Sequence, residues 1–336
     1  MKKRTIKDIA NLLVYIVGIV IIFNFVGGHT LRIVNISLIY AIVALGLVVM
    51  LGMTGMLSFA GVSFMGIGAY VVANLCTGRH GVEIGSLPSV LLAILLCGII
   101  GGLIGMVLLR LNGNFFTFAT IALVQIFQTL FINYVPLFGG SSGISGIPTF
   151  SIGDFQVKGY KAWFIFVAVV VGVVALLVER MGRTRVGRAL YSIRDDEIVA
   201  NSLGINVYRT KLIAFVIQAM LGGLAGALYA MQNSYIGSDI FTWVKATSIV
   251  IMAMVGGINS PLGTIIGAII VTALPEIFRN FQQYLRLIYG IAIILLMVFM
   301  PSGIMGIGST VKSAIDKSRR KRTAQKNLVN GGSTNE

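Results

Sequence analysis

The sequence predicts an all-α polytopic membrane protein, and three observations carry that expectation. Of the 336 residues, 57% are hydrophobic and only 11% charged, with a mean hydropathy of +0.93, whereas soluble domains devote roughly 25% of their residues to charge. The chain divides into ten apolar segments, several near the roughly 20 residues a helix needs to cross the hydrocarbon core. The basic residues gather in three blocks: Lys2 to Lys7, Arg180 to Lys211, and Lys312 to Lys326. Such blocks mark cytoplasmic loops and fix orientation.

Taken in order, the apolar segments run 9–27, 33–51, 56–76, 89–109, 115–135, 163–178, 212–231, 246–258, 262–275 and 286–301. Behind MKKRTIK the first segment shares its character with a signal peptide. It lacks a small-x-small cleavage motif and reads as the first span. With a cytoplasmic N-terminus, six crossings return residues 179–211 to the cytoplasm and ten return the C-terminus, so all three basic blocks share one side. The short pair 246–258 and 262–275, separated by Asn259-Ser260-Pro261, is either two legs or one kinked crossing. Parity favours two. Residues 1–310 therefore form one transmembrane domain of about ten transmembrane or re-entrant helices, with a cytoplasmic loop over 179–211. Residues 311–336 are basic, then Asn/Gly/Ser-rich, and read as a disordered cytoplasmic tail.

Several function classes drop out. A net charge of +15 does not imply nucleic acid, because no basic stripe is interleaved with stacking aromatics. Cys76, Cys97, His29 and His80 are isolated and form neither a zinc pattern nor a disulfide framework. Between Glu83 and Asp154 the only charge is Arg110, and the cores of the other spans carry none. A proton-coupled carrier would keep an ionisable group at that depth. Sodium coupling through neutral oxygens stays open, so a standalone secondary carrier or channel is the competing class. No Gly-Lys pair occurs, which removes the phosphate cradle of a P-loop. The chain is expected to bind no cofactor, and any ATP that drives it must be used by another subunit.

Among the 41 glycines, those at 98–105 and 222–226 are spaced three or four apart and let helix backbones approach closely. In "GMTGMLSFAGVSFMGIGAY" (52–70) the glycines alternate with Thr54, Ser58 and Ser63. That pattern predicts an interrupted helix whose freed backbone lines a cavity, making Thr54, Ser58, Gly61 and Ser63 candidates for a translocation path. Further on, Thr117, Thr120, Gln125 and Gln128 fall within about 140° on a helical wheel. This second polar stripe either lines the path or bridges two helices.

The segment "RALYSIRDDEIVANSLGI" (188–205) is anomalously polar. Val186, Leu190 and Ile193 recur at helical spacing. A second short helix is expected from about Asp195, with Asp195, Asp196 and Glu197 in its first turn and Gly204 as its stop. Orientation needs only Lys and Arg. An ordered surface of mixed charge suits docking to a protein.

"GRALYSIRDDEIVANSLGINVYRTKLIAFVIQAMLGGLAGALYA" (187–230) resembles the cytoplasmic-loop signature and following helix of the permeases of bacterial branched-chain amino-acid ABC importers. The resemblance covers about residues 33–308 and includes "TGMLSFAGVSFMGIGAY" (54–70), "GGSSGISGIP" (139–148), "VGGINSPLGTIIGA" (255–268) and "PSGIMGI" (301–307). It implies an ABC importer permease fold in the bacterial inner membrane. The implied partners are ATP-binding cassette subunits, a second homologous permease, an extracytoplasmic substrate-binding protein and the surrounding lipid. In that family the loop supplies coupling helices that fit a cleft on the ATPase, a role carried here onto Arg188, Ala189, Arg194, Asp195, Asp196, Glu197, Ala200, Gly204 and Ile205. Two departures concern cargo. Ala60-Gly61 stands where the family usually has Gly followed by His or Gln, and Gln125 and Gln128 replace an acidic and a basic residue. The implied cargo is a branched-chain or related amino acid, with nucleosides or another small polar solute as the alternative.

Overall fold

The computed structural model describes residues 27–277 apart from 80, 82–83, 112 and 153–154. The segments expected at 9–27 and 286–301, and the tail 311–336, lie outside the described residues. The other eight apolar segments each fall on a helix.

Helix α1 spans Gly28–Leu47 and continues as a π-helical turn over Val48–Met53. The chain then runs without helix through 55–59 and re-enters one as α2, Gly61–Cys76. The apolar segment 56–76 is thus shorter as a helix than as a hydrophobic run. The break has local causes. Thr54 Oγ1 donates back to the Met50 carbonyl, satisfying the last turn from the side chain. Gly55 follows at φ +77°, a conformation that favours glycine.

Three long helices follow: α3 (Ser86–Leu108), α4 (Asn114–Asn133) and, after the short α5 (Val135–Phe138), α6 (Gly159–Met181). The loop between α5 and α6 carries β1 (Ile144–Ser145), β2 (Ser151–Ile152) and β3 (Phe155–Gln156). β2 pairs with β3, and β1 pairs antiparallel with β4 (Tyr235–Ile236). The charged loop forms α7 (Arg185–Asp195) and α8 (Glu197–Ser202). Beyond it α9, Val207–Asn233, is the longest described helix, followed by α10 (Trp243–Gly256) and α11 (Pro261–Ile277).

Among the described residues five helices are long and apolar enough to cross a membrane, and α2, α10 and α11 are shorter apolar helices. α10 and α11 pack side by side through Gly256 and Gly263 rather than forming one kinked crossing. The outer faces of α3 and α4 expose Leu91, Leu95, Ile99, Leu103, Phe115, Phe118 and Ile126. Apolar surface of that extent fits lipid or another hydrophobic protein face.

α9 is the central post, packed on α1, α2 and α3. Its crossing with α2 is backbone on backbone: a Cβ at Gly68 would run into the Gly223 carbonyl, and one at Gly226 into that of Met65. Between membrane helices such close contact supplies the dispersion energy that holds the pair. The glycines at 98–105 serve the same end, since Gly101 abuts Ala219 and Gly105 lies against Phe215. At the end opposite the charged loop, Tyr70, Phe131, Phe138 and Phe241 form an aromatic cluster with ring centroids 4.9 to 5.9 Å apart.

Candidate functional site

The polar loop is ordered by its own caps. Thr184 Oγ1 accepts from the Gly187 amide at 3.2 Å and starts α7. Asp196 Oδ1 accepts from the amides of Ile198 and Val199 at 2.8 and 3.0 Å and starts α8. Such a cap is worth about 1 kcal/mol. Gly204, at φ +82°, reverses the chain while the Ile205 amide donates to the Ala200 carbonyl at 3.1 Å. One expectation needs correcting: Asp195 ends α7 and Asp196 is the cap, so only Glu197 occupies the first turn of α8. The aspartate at 196 captures two free amides, and that local bond outweighs continuing one helix.

The loop residues separate into two faces. Leu190, Ile193 and Ala200 are buried against the body, whereas Arg188, Arg194, Asp195, Asp196, Glu197 and Gly204 are exposed, with Ala189 and Ile205 half-buried. The apolar residues of α8 form a ridge that turns outward: Ile198 is 79%, Val199 53% and Leu203 74% exposed. Glu197 ties α8 to α9 through Lys211 at 2.6 Å.

Arg194 makes the long-range connection. Its Nη1 donates to the Gly52 carbonyl at the end of the π-helical turn, and to Asn259 Oδ1, 2.8 Å away, in the turn between α10 and α11. Its aliphatic stem lies over Gly55, where a Cβ would stand 3.3 Å from Cγ. One side chain of the loop therefore holds both the start of the helix break and the α10–α11 turn. Sequence singled out Arg194, but its partners lie 142 and 65 residues away. No local spacing reveals them.

The structure also brings together most of the candidate path residues. Thr54, Ser58, Ser63 and Thr120 are buried, and Gly61 opens α2. Thr117 Oγ1 donates to the Leu57 carbonyl at 3.1 Å, and Thr120 Oγ1 accepts from the Phe59 amide at 3.2 Å. These threonines bridge α4 to the non-helical segment. Gln125 and Gln128 do not join them: Gln125 is exposed on the outer face of α4 and Gln128 is half-buried.

Two residues that the sequence reading passed over stand at this seam. Gln218, in the middle of α9 and 1% exposed, donates from Nε2 to the Ser58 carbonyl at 3.4 Å, and its Oε1 has no partner among the described residues. A lone amide inside LIAFVIQAMLGG was the available signal. Lys245, third residue of α10, stands just before the apolar run 246–258 and carries a charge into the first turn of the helix. Its Nζ sits 4.6 Å over the ring of buried Tyr40, and no carboxylate among the described residues pairs with it. The ring's negative face replaces part of its hydration. The apolar run begins one residue later, so hydropathy placed Lys245 outside the helix.

Among the described residues no cluster of His, Cys, Asp or Glu could hold a metal. A family model described as "Branched-chain amino acid transport system / permease component" matches residues 29–300. The chain belongs to this permease family. It is 30% identical over 303 residues to the high-affinity branched-chain amino acid transport system permease protein LivM of Escherichia coli (strain K12), covering 83% of this permease and 71% of that protein. LivM of Salmonella typhimurium is 31% identical over 304 residues, with the same coverage. LivH of Escherichia coli (strain K12) is 29% identical over 299 residues, covering 81% of the permease and 93% of LivH. No solved structure matches. The permease's helices, apolar outer faces and capped polar loop agree with a multi-pass transport subunit.

Proposed function

We propose that this chain is the membrane-spanning permease of an ABC importer that carries branched-chain or related amino acids inward by ATP-driven alternating access. Membership of the permease family and the names of LivM and LivH support the importer class and the cargo. The observation that carries the mechanism is the Arg194 bridge. A push on the exposed ridge of α8 reaches Gly52 and Asn259 through one guanidinium.

In this reading the complete permease has about ten transmembrane or re-entrant helices in the inner membrane of a bacterium, with both termini and the α7–α8 loop in the cytoplasm. ATP is hydrolysed by separate cassette subunits. Ile198, Val199 and Leu203 seat in their cleft, while Arg188 and Asp195 set its orientation. Asp196 also holds α8 folded, and Gly204 with Ile205 ends it so that Ala200 stays packed. A second, homologous permease completes the pathway, and an extracytoplasmic binding protein delivers the cargo to the opposite end. Thr54, Ser58, Gly61 and Ser63 lie on or beside the segment that rearranges, and Thr117 and Thr120 hold it from α4. Gln125 and Gln128 reach the path only where the second permease stands against the outer face of α4.

Reconstitution with the cognate cassette subunits, second permease and binding protein tests this reading. L-leucine, L-isoleucine and L-valine should accumulate against a gradient with ATP, and the lone chain in liposomes should accumulate nothing. Uphill uptake by the lone chain overturns the importer assignment. Accumulation of adenosine in place of the amino acids overturns the cargo.

A further inference from the structure

A narrow cleft opens between α1, α2, α9 and α10, where the helix break ends. Ser58, Gly61 and Gln218 meet there, walled by Val43, Leu47, Val62, Ile249 and Val250. Gln218 is the twelfth residue of the 27-residue α9, roughly 17 Å along it at a rise of 1.5 Å per residue. That is mid-depth in a hydrocarbon core about 30 Å thick. In this structure the cleft holds no more than about one water molecule.

Its polar groups are unusual for that depth. α2 has 16 residues and no side-chain cap, and the amides of Gly61, Val62 and Ser63 meet no acceptor among the described residues. Free amides at the first turn, reinforced by a helix dipole equivalent to about half a positive charge, favour an anionic group. Independently, the buried Gln218 Oε1 meets no donor among the described residues. A Cβ on Gly61 would lie 3.6 Å from Gln218 Nε2, which places the amide beside the helix end. Leaving a buried acceptor unpaired costs about 1–3 kcal/mol. The bond from Gln218 to the Ser58 carbonyl is long at 3.4 Å and therefore weak.

We propose that the first turn of α2 and the Gln218 amide form a station for the zwitterionic head of an α-amino acid at mid-membrane depth. Resting on the amino-acid reading above, it specifies where and how the chain itself meets its cargo. The carboxylate takes the free amides of α2 and Gln218 Nε2. The ammonium donates to Gln218 Oε1 and to the Ser58 carbonyl, which Gln218 releases. The aliphatic walls receive a branched side chain. The cleft is collapsed here, and loading requires segment 55–59 to withdraw from Thr117 and Thr120.

Trp243 provides a reporter, because its ring lies 4.6 Å from that of Phe59 on this segment. The full chain carrying Trp163→Phe, in lipid nanodiscs, is titrated with L-leucine, leucinamide, 4-methylpentanoate and adenosine while Trp243 emission is followed. L-leucine should give a saturable shift, and the two analogues lacking carboxylate or ammonium should need at least tenfold higher concentration. Gln218→Leu should weaken the leucine response at least tenfold while eluting as a single species. Gly61→Ala, whose methyl would stand 2.8 Å from Val43 Cγ1, should do the same from the opposite wall. Equal responses to leucine and both analogues, an unchanged response in both variants, or no saturable response to leucine overturns the station. If the station fails while the assembled importer still accumulates leucine, the cargo reading stands. If adenosine alone gives a Gln218-dependent shift, the cargo reading falls together with the zwitterion assignment.

Discussion

The α2–α9 crossing and the helix break at 55–59 adjoin at the start of α2, and they are held by different physics. At the crossing, Gly68, Gly222, Gly223 and Gly226 put backbone against backbone, with no room for one more carbon. At the break the chain is only partly buried and hangs on side-chain bonds from Thr117, Thr120 and Gln218, whereas the π-helical turn before it is buried, with Gly52 against the Ile258 carbonyl. Close packing over many atoms has no alternative arrangement nearby, whereas each hydrogen bond can be exchanged at a cost of about 1 kcal/mol. A transporter needs both: a fixed post and a segment with two positions. In the proposed mechanism the moving part is therefore 55–59, and α9 is its fixed support.

The sharpest way to break this contrast is to overfill the rigid side. Gly226→Val drives a side chain into the Met65 carbonyl and should cost at least about 3 kcal/mol. Thermal unfolding in detergent and the yield of monodisperse protein should both drop severely. Normal stability would mean that the crossing yields more than its packing implies.

On the mobile side, Arg194→Leu should leave the chain inserted and assembled but reduce ATP-driven uptake at least tenfold, with hydrolysis retained. Arg194→Lys, which keeps the charge and has donors for two acceptors but carries them on a shorter side chain, should recover only part. Equal losses of hydrolysis and uptake would assign Arg194 to docking instead.

Asp196→Ala removes the cap on two amides and should destabilise α8 by about 1 kcal/mol. Asp196→Asn, which still caps, should be near normal. The check is ATPase stimulation, which should track the cap and not the charge.

The double change Thr117→Val with Thr120→Val removes two bonds worth about 1 kcal/mol each. It should raise hydrogen exchange at residues 57–60 without altering α9. Smallest of all, Gln125→Leu on the exposed face of α4 should leave thermal stability within about 0.5 kcal/mol. A few-fold fall in uptake would place a second permease opposite that face.

How much of this was legible in the sequence follows from the range of each interaction. The α7–α8 turn was readable because caps and left-handed stops act over two to four residues, as Thr184, Asp196 and Gly204 show. An interruption within 52–70 was readable from its glycines beside Thr54, Ser58 and Ser63, but not its place at 55–59. Packing glycines at 98–105 and 222–226 announced themselves by spacing, though not which helix each would meet. The register of the acids slipped by one residue, since Asp195 and Asp196 are both competent caps and only the fold selects between them. Gln218 and Lys245 escaped because a single polar residue in an apolar run has no period. Their meaning comes from Ser58 and Tyr40, which lie 160 residues away in the first case and on another helix in the second.

Amide hydrogen exchange in the assembled importer, with and without nucleotide, tests the central contrast most directly. Nucleotide should speed exchange at residues 55–60 while residues 214–230 of α9 stay protected. Uniform change in both regions, or none in either, would contradict a segment that switches against a fixed post.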